Sequence, residues 1–416
     1  MMKNSLRAKN TTPESSRDPL MHGKSLLIIS NTFPNPDDSY IGSIFVKEQA
    51  KYLKHYFDNV SIISPVAYGV DRLRGTSSTD YSFDGIRVFF PRYLNIPFFY
   101  SHGRRSWVAL ESRAILSVIK KEKIPLDLIH AHMTWPSGAV AAELKKQFGV
   151  PLVLTEHTST TFNSAVKKRD ACWKNTLNAA DVIIRVRKGD NHLFKELDVP
   201  LEKVISIPNG FDHKTFLPIS SDQCRRELSL PEERKILLNV GNMFSPVKGH
   251  RFFIEAMSQV VRARNDVLGI IVGSGKLEAE LRNLIRELHL EDHVRLVGSK
   301  PHNQIPLWIN ACDVFILPSL NEGNPTVMFE VLGCGKPFVG SNVGGVPGVI
   351  ISEDFGLLVE PGDPDALASR ILLALDREWD SEAILQYAAQ YSWEAIGKEV
   401  ADVYLKLLLG AGTNPN

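Results

Sequence analysis

Short β-branched runs alternate with helix-patterned stretches along most of this chain, and that alternation restricts the fold more than any other feature. Ser25–Ile29, Val60–Ile63, Leu126–His130, Val150–Thr155 and Asp181–Arg185 read as strands. Val46–His55, with an apolar stripe, and Gly138–Phe148 read as helices between them. Such alternation means a parallel sheet with helices on both faces. The pattern restarts after Pro208-Asn209-Gly210, a turn signal. Lys235–Val240, Val267–Val272, Val294–Val297, Val314–Leu317 and Pro337–Gly340 form a second set of strands, with His250–Arg262 and Lys276–His289 among the helices.

The 416 residues fit two domains of ordinary size. The expectation is an α/β chain of two Rossmann-like, doubly wound domains facing a cleft. A disordered tail would occupy residues 1–23, the first domain residues 24–208, the second residues 209–391 and a last helix residues 392–410. That helix has the stripe Ile396, Val400, Val403, Tyr404 and Leu407, and is expected to cross back onto the first domain. Doubly wound sheets hold ligands at the carboxyl ends of their strands, so the cleft is the expected active site.

Composition removes several classes. Hydrophobic residues at 44% and charged residues at 23% exclude a disordered chain. Cys172, Cys224, Cys312 and Cys334 are scattered and form no Cys-x-x-Cys pair. This argues against a disulfide framework or a zinc ribbon and for a reducing cytoplasm. No apolar run approaches the roughly 20 residues that span a bilayer, and the first 22 residues lack the apolar core of a signal peptide. Residues 1–208 hold 29 Lys and Arg against 20 Asp and Glu, whereas the rest hold 19 against 27. The first half therefore suits an anionic partner, such as a membrane surface or a phosphorylated acceptor. Ser30-Asn31-Thr32-Phe33-Pro34 follows the first strand in place of a dinucleotide fingerprint, and Gly273-Ser274-Gly275 is only a fragment of one.

The chemistry-bearing residues concentrate in a few turns. Pro318-Ser319-Leu320-Asn321-Glu322-Gly323-Asn324-Pro325-Thr326 joins a strand to an apolar helix that holds Glu330. Pro325 suits the first helical position and Asn324 the cap. The first-turn amides would then face the cleft, as a site for a phosphate or a hydroxyl-rich ligand. Glu322 and Glu330 are spaced to grip two parts of one ligand. Glu330, among Val327, Phe329, Val331 and Leu332, needs a partner for its charge. Gly241-Asn242-Met243-Phe244-Ser245-Pro246-Val247-Lys248-Gly249 places a lysine just before a helix, a good diphosphate binder. Gly344-Gly345-Val346-Pro347-Gly348 permits close backbone approach to a ligand. In the first half, Tyr40-Ile41-Gly42-Ser43 precedes a helix and offers amides to a phosphate. His130 and His132 share one face of a strand end, but a metal there would lack an obvious third ligand. Asp363-Pro364-Asp365 imitates a metal-binding Asp-x-Asp in the setting of a helix cap.

In order and spacing these segments resemble glycosyltransferase family 4, nucleotide-sugar-dependent enzymes with the two-domain GT-B fold. The resemblance spans roughly residues 25–408. It rests on Gly42, His132, Thr155-Glu156-His157, Ile207-Pro208-Asn209-Gly210-Phe211-Asp212, Lys248-Gly249, Glu322 with Glu330, Gly344-Gly345-Val346-Pro347 and Gly356-Leu357-Leu358-Val359. The Gly241–Gly249 turn and Asn31-Thr32-Phe33-Pro34-Asn35-Pro36 look like a subgroup that builds teichuronic-acid-type and exopolysaccharide chains of the cell envelope. The resemblance implies sugar transfer with retention, from a UDP-sugar first and a GDP-sugar next. It implies no metal and no cofactor beyond the nucleotide-sugar co-substrate. His132, Lys248 and Glu322 would be catalytic: His132 beside the donor sugar, Lys248 on the diphosphate, Glu322 on the transferred sugar. Gly42, Asn242, Asn324, Pro325, Thr326 and Glu330 would bind the donor, with Glu330 on the ribose hydroxyls and Gly42 near the β-phosphate. Asn242 stands where the family usually has arginine, and Gly348 where it usually has glutamate. Asn242 supplies no charge, which leaves more of the load to Lys248.

In this fold the acceptor binds the first domain. The stretch 87–107 combines Phe89, Phe90, Tyr93, Phe98, Phe99 and Tyr100 with Arg92, Arg104 and Arg105. This suits an anionic membrane interface and a glycan or lipid-linked acceptor, the alternative being a core strand followed by a surface loop. The expected location is cytoplasmic, peripheral at the inner face of the membrane. Nucleic acid is not expected, since no recognition motif accompanies the basic residues. A UDP-sugar 2-epimerase and a non-catalytic nucleotide-sugar-binding subunit share the two-domain plan.

Overall fold

A computed structural model describes residues 21–411 of the protein except 37–39, 41, 75–76, 95–96, 101 and 158–159. The strands of the first half are β1 (Ser25–Ile29), β2 (Asn59–Ile63), β3 (Val66–Ala67), β4 (Tyr81–Phe83), β5 (Ile86–Phe89), β6 (Arg92–Tyr93), β7 (Leu128–His132), β8 (Leu152–Glu156), β9 (Val182–Arg185) and β10 (Val204–Ser206). Eight of them form one sheet in the order β10-β9-β8-β7-β1-β2-β5-β4, and β3 pairs with β6. Only the β4–β5 hairpin in that sheet is antiparallel. Its helices are α1 (Ile44–Leu53), α2 (Val70–Arg74), α3 (Arg104–Lys121), α4 (Ala139–Phe148), α5 (Thr160–Lys167), α6 (Ala171–Ala179) and α7 (Asn191–Glu196).

Every residue of β1, β7 and β8 is buried. Leu27, Ile29, Ile129 and Leu154 enter the core on one face, and Leu26, Ile28, Leu128 and Val153 the core on the other. Alternate side chains thus feed both faces, which is why these strands carry apolar residues at successive positions rather than alternate ones.

The second half repeats the plan with β11 (Lys235–Val240), β12 (Val267–Val272), β13 (Val294–Leu296), β14 (Val314–Leu317), β15 (Phe338–Ser341) and β16 (Gly356–Val359). These form an all-parallel sheet in the order β13-β12-β11-β14-β15-β16. Its helices are α8 (Ser221–Glu227), α9 (His250–Ala263), α10 (Glu278–Glu287), α11 (Ile305–Ala311), α12 (Thr326–Gly333), α13 (Pro364–Asp376) and α14 (Ser381–Ala388). Asp363 caps α13 by accepting from Asp365 N and Ala366 N at 3.1 and 2.9 Å. The last helix, α15 (Trp393–Ala411), returns to the first half. Its Trp393, Ile396, Val400 and Tyr404 share a core with Val46, Ala50 and Leu53 of α1.

Some local readings differ. β7 starts two residues later than expected, at Leu128, because Asp127 turns its carboxylate onto Ser25 N (2.9 Å) and Lys24 Nζ (3.1 Å). Met21, inside the expected tail, is already packed in the core at 1% exposure, while residues 1–20 lie outside the described residues. β3, β4, β6 and β10 are two or three residues long, too short to show a period.

Candidate active site

Both sheets reverse their strand order beside the strand that opens them: between β7 and β1 in the first, and between β11 and β14 in the second. Ligands of open α/β sheets bind in the crevice outside such a reversal. The turn that follows β11 carries Lys248, and the turn that follows β14 carries Glu322. The two side chains meet, with Lys248 Nζ 2.8 Å from Glu322 Oε1. Ser319 Oγ donates to the same oxygen at 2.6 Å. Backbone bonds lace the turns together, Leu320 N to Val247 O and Gly345 N to Gly323 O, each at 2.8 Å. Two glycines make this approach possible. Gly249 (φ +68) has no room for a Cβ beside the carbonyl of Pro318, nor Gly344 (φ +58) beside that of Glu322.

Asn242 is exposed, and its side-chain oxygen faces Phe244 N at 3.5 Å. Its carbonyl is held by His250 Nε2 at 3.0 Å, and His250 Nδ1 lies 2.7 Å from Asn239 Oδ1. Burial pushes His250 below its ordinary value. Sequence reading gave no role to His250, which looked like the first residue of a helix.

The start of α12 corrects the sequence reading. Thr326 is the first helical residue, Pro325 occupies the cap position with no side-chain cap bond, and Asn324 is not the cap. Asn324 Oδ1 instead accepts from Asn209 N at 3.0 Å, and Asn324 O from Asn209 Nδ2 at 2.9 Å. Asparagine at 324 thus ties the Glu322 turn to the Pro208–Gly210 turn. Asn321 Nδ2, which donates to Thr160 Oγ1 at 3.1 Å, links the Glu322 turn to the first half.

Glu330, 6% exposed on α12, has the partner its burial demands. His302 Nε2 stands 2.9 Å from Glu330 Oε1. The two residues line a narrow crevice of about 10 Å³ with Thr326, Phe216, Asp212 and, from α1 of the first half, Ile44, Phe45 and Glu48. That is room for about one water molecule, so the crevice marks where a ligand can meet Glu330 rather than a pocket that encloses one. Burial opposes charge on His302, but the hydrogen bond and charge of Glu330, with Glu48 behind it, outweigh burial and hold the imidazole above its ordinary value. His302 was missed in the sequence. The only signal for it was the unpaired glutamate itself.

On the first half, His132 closes β7, where its Nδ1 lies 3.0 Å from His157 Nε2. His132 Nε2 is buried without a hydrogen-bond partner among the described residues. Burial holds His132 at about 3, so it is a neutral imidazole at physiological pH. His130, two residues back, serves the fold: Thr155 Oγ1 (2.7 Å) and Tyr404 OH (2.6 Å) take its two ring nitrogens. Gly42 lies in the turn before α1 under the Tyr40 ring, and Ile41 lies outside the described residues. The aromatic stretch 87–107 follows the alternative of a core strand and a surface loop rather than a membrane interface. Phe89, Phe90, Tyr93 and Trp107 are buried, Arg92 pairs with Asp71 and Arg104 with Asp170. Tyr100 is exposed. Among the described residues no three His, Cys, Asp or Glu are grouped to hold a metal ion, and no helix is long and apolar enough to cross a membrane.

Residues 43–215 match the family described as Glycosyltransferase Family 4, and residues 220–391 that described as Glycosyl transferases group 1. A Bacillus subtilis protein named provisionally as the teichuronic acid biosynthesis glycosyltransferase TuaC is 26% identical over 404 residues, 91% of this chain and 92% of that one. The D-inositol 3-phosphate glycosyltransferase of Corynebacterium glutamicum is 26% identical over 313 residues, 70% of this chain and 74% of its own. Among solved structures, the sucrose-phosphate synthase of Thermosynechococcus elongatus superposes with a TM-score of 0.75 at 23% identity, covering 93% of this chain and 99% of that one. Anabaena Alr3699/HepE in complex with UDP-glucose gives 0.72 at 20% identity, covering 92% and 100%. The chain belongs to glycosyltransferase family 4 and is a glycosyltransferase of the GT-B fold.

Proposed function

We propose that this glycosyltransferase moves a sugar from a UDP-sugar, with retention of configuration, to a hydroxyl of a glycan or lipid-linked acceptor in cell-envelope polysaccharide synthesis. The observation that carries the reading is the meeting of Lys248 and Glu322, from the turns after β11 and β14, at the reversal point of the second sheet, with Glu330 on the helix that the Glu322 turn leads into. The solved complex of HepE with UDP-glucose and the teichuronic acid assignment of the Bacillus subtilis relative support the donor and the acceptor class.

In this reading Glu330 and Thr326 hold the ribose end of the donor beside the start of α12. Asn242, Asn324 and Pro325 offer backbone and amide groups to the diphosphate and sugar, and Gly42 approaches the β-phosphate from the first half. Lys248 turns from Glu322 towards the diphosphate and neutralises the charge on the leaving group. Glu322, released from that ion pair, accepts hydroxyls of the transferred sugar. His132, neutral and with Nε2 unpartnered, donates or accepts one hydrogen bond near the reacting carbon. The acceptor hydroxyl attacks from the face the diphosphate leaves, and the departing phosphate oxygen takes its proton. Electrostatic stabilisation of that diphosphate is then the main catalytic contribution.

The test is a melting-temperature panel with UDP, GDP, ADP and their common sugar conjugates. A ligand at 100 times its Kd adds about 2.7 kcal/mol. The expected result is a shift with uridine nucleotides, followed by transfer whose product keeps the donor's anomeric configuration by NMR. An inverted product overturns the retaining mechanism, and a response confined to GDP overturns the assignment of the base. Membrane contact would use the exposed Tyr68, Leu73, Leu94 and Tyr100 rather than the buried aromatics. Failure to bind anionic vesicles at low salt would remove that part of the proposal.

A further inference from the structure

We propose that His302 is a positioning residue for the donor: as a cation it orients the Glu330 carboxylate towards the ribose, so that nucleotide affinity depends on a proton on His302. This rests on the reading of Glu330 as the ribose-binding residue.

The geometry sets the roles. His302 follows Pro301 in the turn before α11 and points across to α12, where its Nε2 reaches Glu330 Oε1 at 2.9 Å. The imidazole lies 5.3 Å from the ring of Phe216, which limits its freedom. With Oε1 engaged by His302, Oε2 is the oxygen left to face ligand hydroxyls. A carboxylate whose rotamer is fixed before binding loses less freedom when the ligand arrives.

The charges around His302 come from two halves of the chain. Glu330 on α12 and Glu48 on α1 favour its protonation, and Lys51 on α1 opposes it while itself pairing with Glu48 at 2.8 Å. Asp212, which accepts from Tyr52 OH at 2.8 Å, lines the same crevice. The balance holds the imidazole above its ordinary value. A raised imidazole contributes fully below about pH 6.5 and loses its contribution as pH rises through the raised value.

The experiment is UDP binding by isothermal titration of the full chain at pH 7.0 and pH 8.5, both above the roughly pH 6 ionisation of a terminal phosphate. Wild type is expected to bind roughly fivefold more weakly at pH 8.5, the difference between a charge-assisted and a neutral hydrogen bond. His302→Gln keeps a hydrogen bond without the charge, and is expected to bind weakly and equally at both pH values. His302→Lys keeps a charge throughout and is expected to flatten the profile near the stronger value. Glu48→Gln removes support for the proton and is expected to move the fall in affinity to lower pH. In steady state the His302 variants raise the donor KM with little change in kcat. A His302→Gln profile that overlays wild type, while Glu330→Ala abolishes UDP binding, overturns the role of His302 alone. UDP binding that survives Glu330→Ala overturns the donor-site reading beneath it.

Discussion

Lys248→Ala separates what Lys248 does for the fold from what it does for the reaction. Lys248 Nζ stands 2.8 Å from Glu322 Oε1, with the lysine side chain 28% and the glutamate 7% exposed. At that distance and an effective dielectric near 20 the gross attraction is about 6 kcal/mol. Desolvation offsets most of it, and removing one partner of a fully buried pair costs about 3–5 kcal/mol. Lys248 is only partly buried, and Ser319 Oγ remains on Glu322 at 2.6 Å. The expected stability cost is therefore about 1–2 kcal/mol. In a domain of this size that lowers Tm by roughly 2–8 °C. The reaction loses more, because removing one donor to a developing anion costs about 3 kcal/mol of barrier, roughly 100- to 1,000-fold in kcat. The assay is the initial rate of transfer or donor hydrolysis, read beside the melting curve. Lys248→Arg keeps the charge and is expected to recover part of the rate. A folded Lys248→Ala whose kcat stays within about threefold of wild type, against the scale above, would refute the reasoning.

Burial keeps His130, His132 and His157 below the ordinary imidazole value. The unfolded chain takes up protons at these sites below about pH 6.5 and the folded chain does not, so stability is complete above that pH and falls towards pH 3. His132→Gln is expected to flatten the decline of Tm between pH 6.5 and 4, and an unchanged slope would contradict this. Tyr404→Phe deletes the 2.6 Å contact with His130 and is expected to cost about 1 kcal/mol, seen as a lower Tm with nucleotide affinity unchanged. Gly344→Ala places a Cβ against the carbonyl of Glu322 at φ +58, and is expected to cost more than about 1 kcal/mol and to weaken donor binding. A wild-type Kd in that variant would show that the Gly344 turn does not position Glu322.

What the sequence made legible follows physical period and length. β1, β11, β12 and β14 begin and end where their apolar runs do, because buried parallel strands are apolar on both faces. The stripe of α15 announced a helix that needed a partner, and Tyr404 found it in the first half. Lys248 and Glu322 could be named because each sits in a turn after a strand, but the ion pair between residues 74 apart could not. Asn324 was assigned to the nearest helix because capping is local. Its bond to Asn209 spans 115 residues, and local propensity carries no information on such a contact. Phe89, Phe90 and Tyr93 read equally as a surface or as a core strand because arginines stand between them. In the fold the strand and helix turn the rings inward, and Asp71 and Asp170 neutralise two of the arginines.

The central claim is that Glu330 binds the nucleoside end of the donor. Isothermal titration of the full chain with UDP, set beside the same titration of Glu330→Ala, tests it most directly. The account predicts saturable binding by wild type and at least about a tenfold loss in the variant, the order expected when a charged hydrogen-bonding group is removed from a ligand. Undiminished UDP binding by a folded Glu330→Ala would contradict it.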